Sequence, residues 1–400
     1  MQHFLFEQVD SWFFRESRSM DGSGATAMES VFPPPNNTLL GAIRSRIGNL
    51  YHAQHGSTWE DFNKQKKEHS LARIIGYADD YANLQAQGAW LYNRQEQQLY
   101  FPCPVNVLQQ NNGYGFFALG APIQCDLGKV RLPSLDFEQG QKAVEKVWIA
   151  AVDMQKVLAG RAPERVLSVT DIITTDPRLG IGRNNQTRRI NKSELYQTRH
   201  IRLKEQWGVY MGLRGLSEEH AQKYVCAQTM MRLGGEARMA SVSQLPQEVE
   251  KAGIGLPTAP QLTDTVNSLV IYLLTPLPFP DNKEKNLPAL PGYAFCKKTD
   301  KEGISFWSGV LNDVEVEISS AVVGKTERVG GWNMAQHQSL PVRSFVPAGS
   351  CWYVNVANSD QARNIVQALH GKFLTSGRDR ALGYGQVVVG LEPKTSVKSE

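Results

Sequence analysis

Alternating apolar and polar positions predict β-strands along much of this chain. Residues 3–9 put Phe4 and Phe6 on one face, as expected for a half-buried strand. Other short segments are rich in β-branched and aromatic residues and are bounded by glycine or proline, which also predicts strands. These segments are residues 90–93, 98–107, 114–119, 165–174, 207–213, 223–233, 266–274, 304–310, 314–323, 350–356 and 386–389.

Three segments have apolar residues at helical spacing. The first, residues 38–50, follows three consecutive prolines, which cannot enter a helix interior. Asn36 or Asn37 is therefore expected to cap its N-terminus. Residues 138–158 predict the longest helix, and residues 359–369 predict a helix beside the last strands.

A basic β-hairpin is predicted between residues 176 and 204. Residues 178–183 form its outgoing strand, residues 195–203 return, and residues 184–189 lie near the tip. The stretch holds eight basic and two acidic residues, so its charge exceeds the net charge of +4 of the whole chain. Clustered arginines indicate a polyanionic partner, although a solvated surface hairpin has the same composition.

A glycine-rich stretch spans residues 373–385. Two apolar and two small polar residues precede Gly377, and five residues that include Arg378 and Arg380 separate it from Gly383-Tyr384-Gly385. Glycine permits positive φ and close backbone approach, and arginine holds phosphate oxygens in a fork. The stretch is not a dinucleotide fingerprint, which follows a strand and opens a helix. A passive turn is the alternative interpretation.

Length and composition narrow the class of protein. Four hundred residues exceed a typical single core and suggest two domains. The five cysteines are scattered without a C-x-x-C pair, which argues against a disulfide framework and a zinc site. The sequence lacks a secretory pattern and an apolar run of about 20 residues. A cytoplasmic location is therefore expected, and the polar segment 57–70 is expected to be an exposed insertion.

Few residues are candidates for catalysis. The histidines lack ligand spacing except for His52 and His55, and no Walker A, H-E-x-x-H or G-x-S-x-G motif occurs. No metal and no cofactor is therefore expected. Ribonucleases that cut without metal can use a single histidine, and His200 in the basic hairpin is the candidate for that role. Binding to RNA without catalysis is the alternative role for His200.

Several motifs together resemble a known family. Residues 373–385 match the glycine-rich motif of the RAMP superfamily of CRISPR proteins. More specific segments, in the same order along the chain, resemble subunit three of the Cmr effector complex of type III-B CRISPR systems. These segments are residues 12–20, 30–44, 180–183, 195–196, 202–203, 233–238 and 346–350. The resemblance covers most of the chain except the insertion at 57–70 and the tail.

The resemblance implies an α+β fold with two ferredoxin-like (RRM-like) domains. The first spans residues 1–245, with an insertion at about 57–135 and the hairpin at about 176–204. A linker at 246–261, a second domain at 262–391 and a disordered tail at 392–400 follow. The implied function, in antiviral defence, is a non-catalytic subunit that holds the 5′ repeat-derived tag of the guide crRNA. Its implied partners are the large Palm-domain subunit and an adjacent backbone RAMP subunit.

Glycine loops, helix N-termini and arginines, rather than an open sheet face, are expected to hold the RNA. The expected RNA-binding residues are Phe14, Arg15, Arg18, Asn37, Thr38, Arg44, Arg178, Arg183, Arg188, Arg189, Lys192, Arg199, His200, Gly235, Arg238, Gly377, Arg378, Arg380, Gly383 and Gly385. A metal-independent RAMP endoribonuclease that processes guide RNA remains the alternative function.

Overall fold

The structure is a computed structural model, and its described residues fall in two compact units that interleave along the chain. It describes residues 1–15, 27–135, 140–183, 186–187, 190–226, 230–246, 255–280, 290–333 and 338–393. Unit 1 comprises residues 1–97, 170–252 and 328–343, and unit 2 comprises residues 98–169, 253–327 and 344–400. Residues 98–169 thus belong to the second unit, whereas the sequence assigns them to the first domain.

The described helices are mostly short. They are Asn36–His55 (α1), Trp59–Gln65 (α2), Ala72–Ile75 (α3), Ala151–Leu158 (α4), Val169–Ile172 (α5), Glu218–His220 (α6), Ser359–Leu369 (α7) and Gly377–Ala381 (α8), with a 3-10 turn at Lys66–Glu68 and a π-helical turn at Ala221–Cys226. The helix predicted at 359–369 is confirmed. The helix predicted at 38–50 is also confirmed, and it extends further at both ends.

Strands form most of the regular structure. They are Gln2–Gln8 (β1), Ala27–Met28 (β2), Gln85–Asn93 (β3), Gln98–Pro102 (β4), Val107–Gln110 (β5), Gly113–Phe116 (β6), Ala118–Leu119 (β7), Ile123–Cys125 (β8), Gly128–Val130 (β9), Pro133–Ser134 (β10), Lys142–Ala143 (β11), Val147–Ala150 (β12), Leu167–Ser168 (β13), Ile173–Arg183 (β14), Ile190–Leu203 (β15), Trp207–Arg214 (β16), Met230–Arg232 (β17), Met239–Gln244 (β18), Ser268–Leu273 (β19), Leu277–Pro278 (β20), Phe295–Thr299 (β21), Ser305–Leu311 (β22), Val314–Val322 (β23), Glu327–Asn333 (β24), Gln338–Val346 (β25), Cys351–Asn355 (β26) and Val387–Leu391 (β27). Mixed α/β structure with mainly antiparallel sheets results.

Unit 1 is built on an antiparallel sheet with the strand order β3-β16-β1-β18-β17. In β1, Phe4 lies opposite Met211 and Phe6 lies opposite Val209, and both phenylalanines are fully buried. Helix α1 packs against β3 and the π-helical turn. Leu39 and Ile43 of this helix are buried in the core. The apolar face predicted from the helical spacing is therefore confirmed.

The predicted basic hairpin is present in unit 1 as β14 and β15. Its register pairs Ile173 with Leu203 and Asp176 with His200, and it continues to Arg183 opposite Ile190. The short strand β2 runs parallel to β15. The loop after β1 is tied to the hairpin because Trp12 and Ile201 exchange two backbone hydrogen bonds of 2.8 Å. The base of the hairpin is therefore fixed to the sheet.

Unit 2 contains a sheet with the strand order β21-β22-β23-β26-β19-β27, whose described pairs are antiparallel. Helix α7 packs on β23 and β27 and buries Ala362, Ile365 and Leu369. Strand β4 pairs with β12, and α4 packs against both β4 and β27. These contacts explain why residues 98–169 belong to this unit.

The long helix predicted at 138–158 is wrong. Only α4 is helical, and residues 147–150 form strand β12, in which Ile149 pairs with Phe101. Strand pairing buries the run from Trp148 to Ala150, and this tertiary contact overrides the helical spacing of the apolar residues.

Two further predictions need correction. The strand predicted at 165–174 is instead β13, α5 and the start of β14. The strand predicted at 223–233 is a π-helical turn and the short strand β17, with residues 227–229 outside the described structure. The insertion at 57–70 is mostly exposed, as predicted, and part of it is helical, because α2 buries Phe62 and because Thr58 and Asp61 form a capping box.

Candidate nucleic-acid interface

Three arginines converge on Asp10 at the base of the hairpin. Asp10 Oδ1 lies 2.7 Å from Arg202 Nη1, and its Oδ2 lies 3.2 Å from Arg178 Nη2 and 3.1 Å from Arg238 Nη1. Hydrogen bonding from Arg202, followed by that from Arg178, lowers the pKa of Asp10. We call Asp10, Arg178, Arg202 and Arg238 the arginine cluster.

A second carboxylate braces the cluster from within the hairpin. Asp176 Oδ2 lies 2.9 Å from Arg178 Nη2 and 3.1 Å from Arg202 Nη2, and hydrogen bonding from Arg178 lowers the pKa of Asp176. Arg238 also contacts Glu236, with 3.2 Å between Nη2 and Oε2. Three guanidinium groups therefore face three carboxylates, and the local charge is balanced.

His200 lies beneath this cluster and is fully buried. Its Nδ1 is 3.3 Å from the Ser11 hydroxyl and its Nε2 is 3.3 Å from Glu236 Oε2. Burial lowers the pKa of His200, and this effect exceeds the opposing influence of Glu236. The neutral imidazole is thus a packed structural group in this conformation.

The aromatic loop after β1 is mostly internal. Phe14 is buried and packs edge to face on Trp12 with 5.7 Å between ring centroids, and its backbone N–H donates to Ser30 Oγ over 2.9 Å. Gly235 donates its backbone N–H to Phe13 O over 2.8 Å. Arg15 is exposed at the edge of this loop. The solvent-facing residue here is therefore Arg15 rather than Phe14.

The outer hairpin contains only part of the predicted basic set within the described residues. Arg199 is half-exposed and lies 3.1 Å from Glu29 Oε1. Arg18, Arg188 and Arg189 lie outside the described residues, as do the side chains of Arg183 and Lys192. Their predicted contacts with RNA stay predictions.

The start of α1 differs from its prediction. Pro35 is the N-cap residue and no side chain caps the helix. Asn36 is buried, donates to Gly88 O and accepts from Ala89 N, while Asn37 Nδ2 donates to Gly330 O over 3.2 Å. The asparagines therefore bind neighbouring backbone instead of the helix terminus.

Two other predicted residues of α1 also contact their own unit. The Thr38 backbone N–H donates to Pro35 O over 2.9 Å. Arg44 Nη2 lies 3.4 Å from Ala78 O, and its guanidinium lies 4.4 Å from the centre of the Tyr81 ring. Arg44 thus braces the loop before β3 from the surface of the helix.

The glycine-rich stretch in unit 2 contains the short helix α8 and then leads into β27. Gly377, Gly383 and Gly385 all have positive φ, at 51°, 79° and 75°. Gly383 and Gly385 are buried, and Gly385 donates to Pro276 O over 2.9 Å and accepts from Leu374 N over 2.8 Å. Gly377 and Arg380 are exposed, and Arg378 is half-buried. The part of the motif from Gly383 to Gly385 is therefore internal, and the part around Gly377 and Arg380 faces solvent.

The described part of the chain contains no group of three or more histidine, cysteine or acidic side chains arranged to hold a metal ion. Among the helices in that same part, none is long and apolar enough to cross a membrane.

A family model described as CRISPR-associated protein (Cas_Cmr3) matches residues 4–392. The chain belongs to this Cas_Cmr3 family. The predicted relationship to subunit three of the type III-B Cmr complex is thereby confirmed, and the chain is a type III CRISPR effector subunit of the RAMP group. The comparison with curated proteins finds no match.

Solved structures with similarity to this Cas_Cmr3 member include a type III-B Cmr-beta complex bound to cognate target RNA. That likeness has 13% identity, a TM-score of 0.47 and 96% coverage of both chains. A Csm3-Csm4 subcomplex of the type III-A CRISPR-Cas interference complex has 12% identity, a TM-score of 0.37 and coverage of 90% of this chain and 93% of that one.

Sequence reasoning missed two cluster residues of this Cas_Cmr3 chain, Asp10 and Arg202, as parts of the site. The alternation of β15 puts Arg202 and His200 on one face, and the register places His200 opposite Asp176. That alternation could have indicated Arg202. Nothing near Asp10 in the sequence indicates that its carboxylate joins three arginines from distant segments.

Proposed function

We propose that this chain is a non-catalytic guide-RNA-binding subunit of a type III-B Cmr complex. It holds the 5′ repeat-derived tag of the crRNA and docks the large Palm-domain subunit and an adjacent backbone RAMP subunit. Membership of the Cas_Cmr3 family supports this proposal over the whole matched region, residues 4–392.

Each unit is proposed to be a ferredoxin-like domain. In unit 1 the order β18-β1-β16-β3, with α1 between β1 and β3, corresponds to the fourth, first, third and second strands of that fold. In unit 2 the order β27-β19-β26-β23 gives the same pattern, and α7 joins β26 to β27. The helix expected between β19 and β23 does not occur in the described residues there, where β20, β21 and β22 lie instead.

The observation that carries the RNA-binding proposal is the arginine cluster. Arg178, Arg202 and Arg238 come from β14, from β15 and from the turn after β17, and their guanidinium groups meet at one carboxylate. Planar guanidinium groups that converge on one anion also suit phosphate oxygens. Single-stranded RNA is held mainly by such phosphate contacts.

Other predicted residues supplement this cluster in the proposal. The predicted RNA contacts of Arg15, Arg18, Arg183, Arg188, Arg189 and Lys192 also belong to the proposal. In unit 2, Gly377, Arg378 and Arg380 form the solvent-facing part of the glycine-rich stretch. Phe14, Asn37, Thr38, Arg44, Gly235, Gly383 and Gly385 support the local structure through internal contacts.

RNA-binding measurements test the proposal. Arg202→Gln should weaken binding of single-stranded RNA that carries the repeat-derived 5′ tag, and Arg378→Ala with Arg380→Ala should do the same. Removing one phosphate contact should lower the slope of log affinity against log salt by about one unit. Arg94→Gln is the matched control in unit 1, because Arg94 pairs with Glu7 at 2.9 Å outside the cluster. Equal effects of Arg202→Gln and Arg94→Gln would contradict the assignment.

A further inference from the structure

The carboxylate of Asp10 is held in the manner of a bound ligand. Both of its oxygens contact arginine, since Oδ1 meets Arg202 and Oδ2 meets Arg178 and Arg238. The Ser11 hydroxyl lies 3.4 Å from the same Oδ2. A carboxylate with guanidinium donors on both oxygens and a hydroxyl on one occupies the site as two phosphate oxygens would.

Asp10 lies in a loop, whereas the other shared carboxylate, Asp176, lies in a strand. Asp176 lies within β14 and pairs with two arginines of its own hairpin. Asp10 lies in the loop between β1 and the Trp12–Ile201 bridge, and 52% of its side chain is exposed. Its backbone is held on both sides by the hydrogen bonds of Val9 and Trp12, whereas its side chain borders solvent.

This inference rests on the proposed function. We propose that, in the free chain, the Asp10 carboxylate occupies the position at which a phosphate of the guide RNA binds, which we call the place-holder role of Asp10. In the free chain its carboxylate pairs with Arg178, Arg202 and Arg238 and holds the three guanidinium groups in a convergent arrangement. A phosphate of the RNA backbone displaces this carboxylate and takes over its contacts, while Asp176 keeps Arg178 and Arg202 in position. The site therefore binds phosphodiester, and Asp10 lowers its affinity.

A charge-matched pair of substitutions separates this role from general electrostatics. Asp10→Asn and Asp176→Asn each remove one negative charge from the same cluster, but only Asp10→Asn removes the charge that all three arginines share. Asp10→Asn should tighten binding of tagged RNA by about fivefold, the equivalent of one exposed ion pair, and steepen the salt slope by about one unit. Asp176→Asn should give a smaller gain or a loss, because the hairpin arginines lose their brace.

The measurement is fluorescence anisotropy with labelled RNA over a salt series, with thermal denaturation of each variant. Asp10→Ser is a second variant that also removes the carboxylate, and it replaces Asp10→Asn if that variant does not fold. Equal gains for the two charge-matched variants, or an unchanged or weaker affinity of Asp10→Asn, would overturn the place-holder role while the proposed function stands.

A different result would contradict the proposed function itself. In that case, neither the wild-type chain nor any variant would bind the RNA. Inorganic pyrophosphate then tests the site by itself through its effect on melting temperature. Greater stabilisation of Asp10→Asn than of wild type and Asp176→Asn supports the place-holder. Equal stabilisation of all three overturns it.

Discussion

Phe13 stacks face to face on His200, with 5.1 Å between ring centroids and 14° between ring planes. The pair joins the loop after β1 to strand β15 and lies against the arginine cluster. Because Phe13 covers one face of the imidazole and Ser11 and Glu236 meet its nitrogens, His200 is sealed from solvent. Stability, rather than proton transfer, is therefore the first property expected to depend on His200.

The pH dependence of stability tests this relationship. Burial lowers the pKa of His200 in the folded chain, so the unfolded chain takes up the proton more readily. Stability is then complete above the ordinary histidine pKa of about 6.5 and falls as pH drops below it toward the lowered pKa. The fall is at most about 1.4 kcal/mol per pH unit for each proton taken up on unfolding.

His200→Gln should flatten this decline between pH 7 and pH 5, as measured by urea denaturation at each pH. His52 contributes in the same direction, because burial, followed by the neighbouring His69, lowers the pKa of His52. Some decline should therefore remain in the variant. His55→Gln is the control, since it removes an exposed imidazole. A decline as steep in His200→Gln as in wild type would contradict the assignment.

The alternative ribonuclease function predicts cleavage of RNA that depends on a histidine, whereas the proposed function predicts no such cleavage. A general base must reach the proton that it abstracts, and the buried His200 has no solvent-facing surface. Incubation of pure chain with repeat RNA, with and without a chelator, should produce no cleavage that His200→Gln or His52→Gln abolishes. Gel analysis of the labelled RNA checks this, and cleavage lost in either variant would establish the ribonuclease function.

Two glycines of α1, Gly41 and Gly48, give contrasting predictions for the free energy of unfolding. A Cβ on Gly48 would lie 2.2 Å from Trp59 Cη2, whereas a Cβ on Gly41 would meet no atom within 4 Å. Gly48→Ala should displace the Trp59 ring from α1 and cost about 1–3 kcal/mol of unfolding free energy. Gly41→Ala should stabilise the helix by up to about 1 kcal/mol.

Urea denaturation measures both glycine variants of α1, and limited proteolysis of residues 57–70 reports whether α2 has detached. Trp59 also donates Nε1–H to Asn49 Oδ1 over 2.8 Å, so its displacement should expose this segment in Gly48→Ala alone. Equal stability and equal proteolysis of the two variants would show that the Trp59 contact does not hold α2.

Local patterns predicted the elements whose contacts are near in sequence. Helix α7 was predicted from the spacing of its apolar residues, and the β14–β15 hairpin was predicted from its alternation and clustered charge. The predicted helix at 138–158 failed because Ile149 pairs with Phe101, 48 residues away. Pairing across such a distance leaves no periodic trace in the strand itself.

The candidate site likewise contains residues that the sequence could predict and one that it could not. The hairpin arginines were predictable from composition, but their partner Asp10 lies 168 residues before Arg178. The register of β1 with β16 and β18, together with the backbone hydrogen bonds between Trp12 and Ile201, brings the loop after β1 to the base of the hairpin. The cluster is therefore a product of topology, and a single sequence does not reveal it.

Gly385 lies in the buried part of the glycine-rich stretch, and Gly377 lies in its exposed part. A Cβ on Gly385 would lie 2.8 Å from Thr375 Cγ2 and 3.0 Å from Leu277 Cδ1, whereas a Cβ on Gly377 would meet nothing within 4 Å. Both have positive φ, so alanine costs each about 1–2 kcal/mol of backbone strain. Gly385→Ala should cost about 1–3 kcal/mol more through overpacking.

Chemical denaturation and RNA binding should therefore respond differently in these two variants. Gly385→Ala should lower the urea midpoint more than Gly377→Ala does, because the Gly385 backbone also bonds Pro276 and Leu374 at the start of β27. Tagged-RNA affinity, measured on folded protein at low temperature, should fall more for Gly377→Ala, since Gly377 precedes Arg378 on the solvent-facing side. A greater loss of affinity in Gly385→Ala would mean that the buried part of the stretch contacts the RNA, and a lower urea midpoint in Gly377→Ala would contradict the overpacking argument.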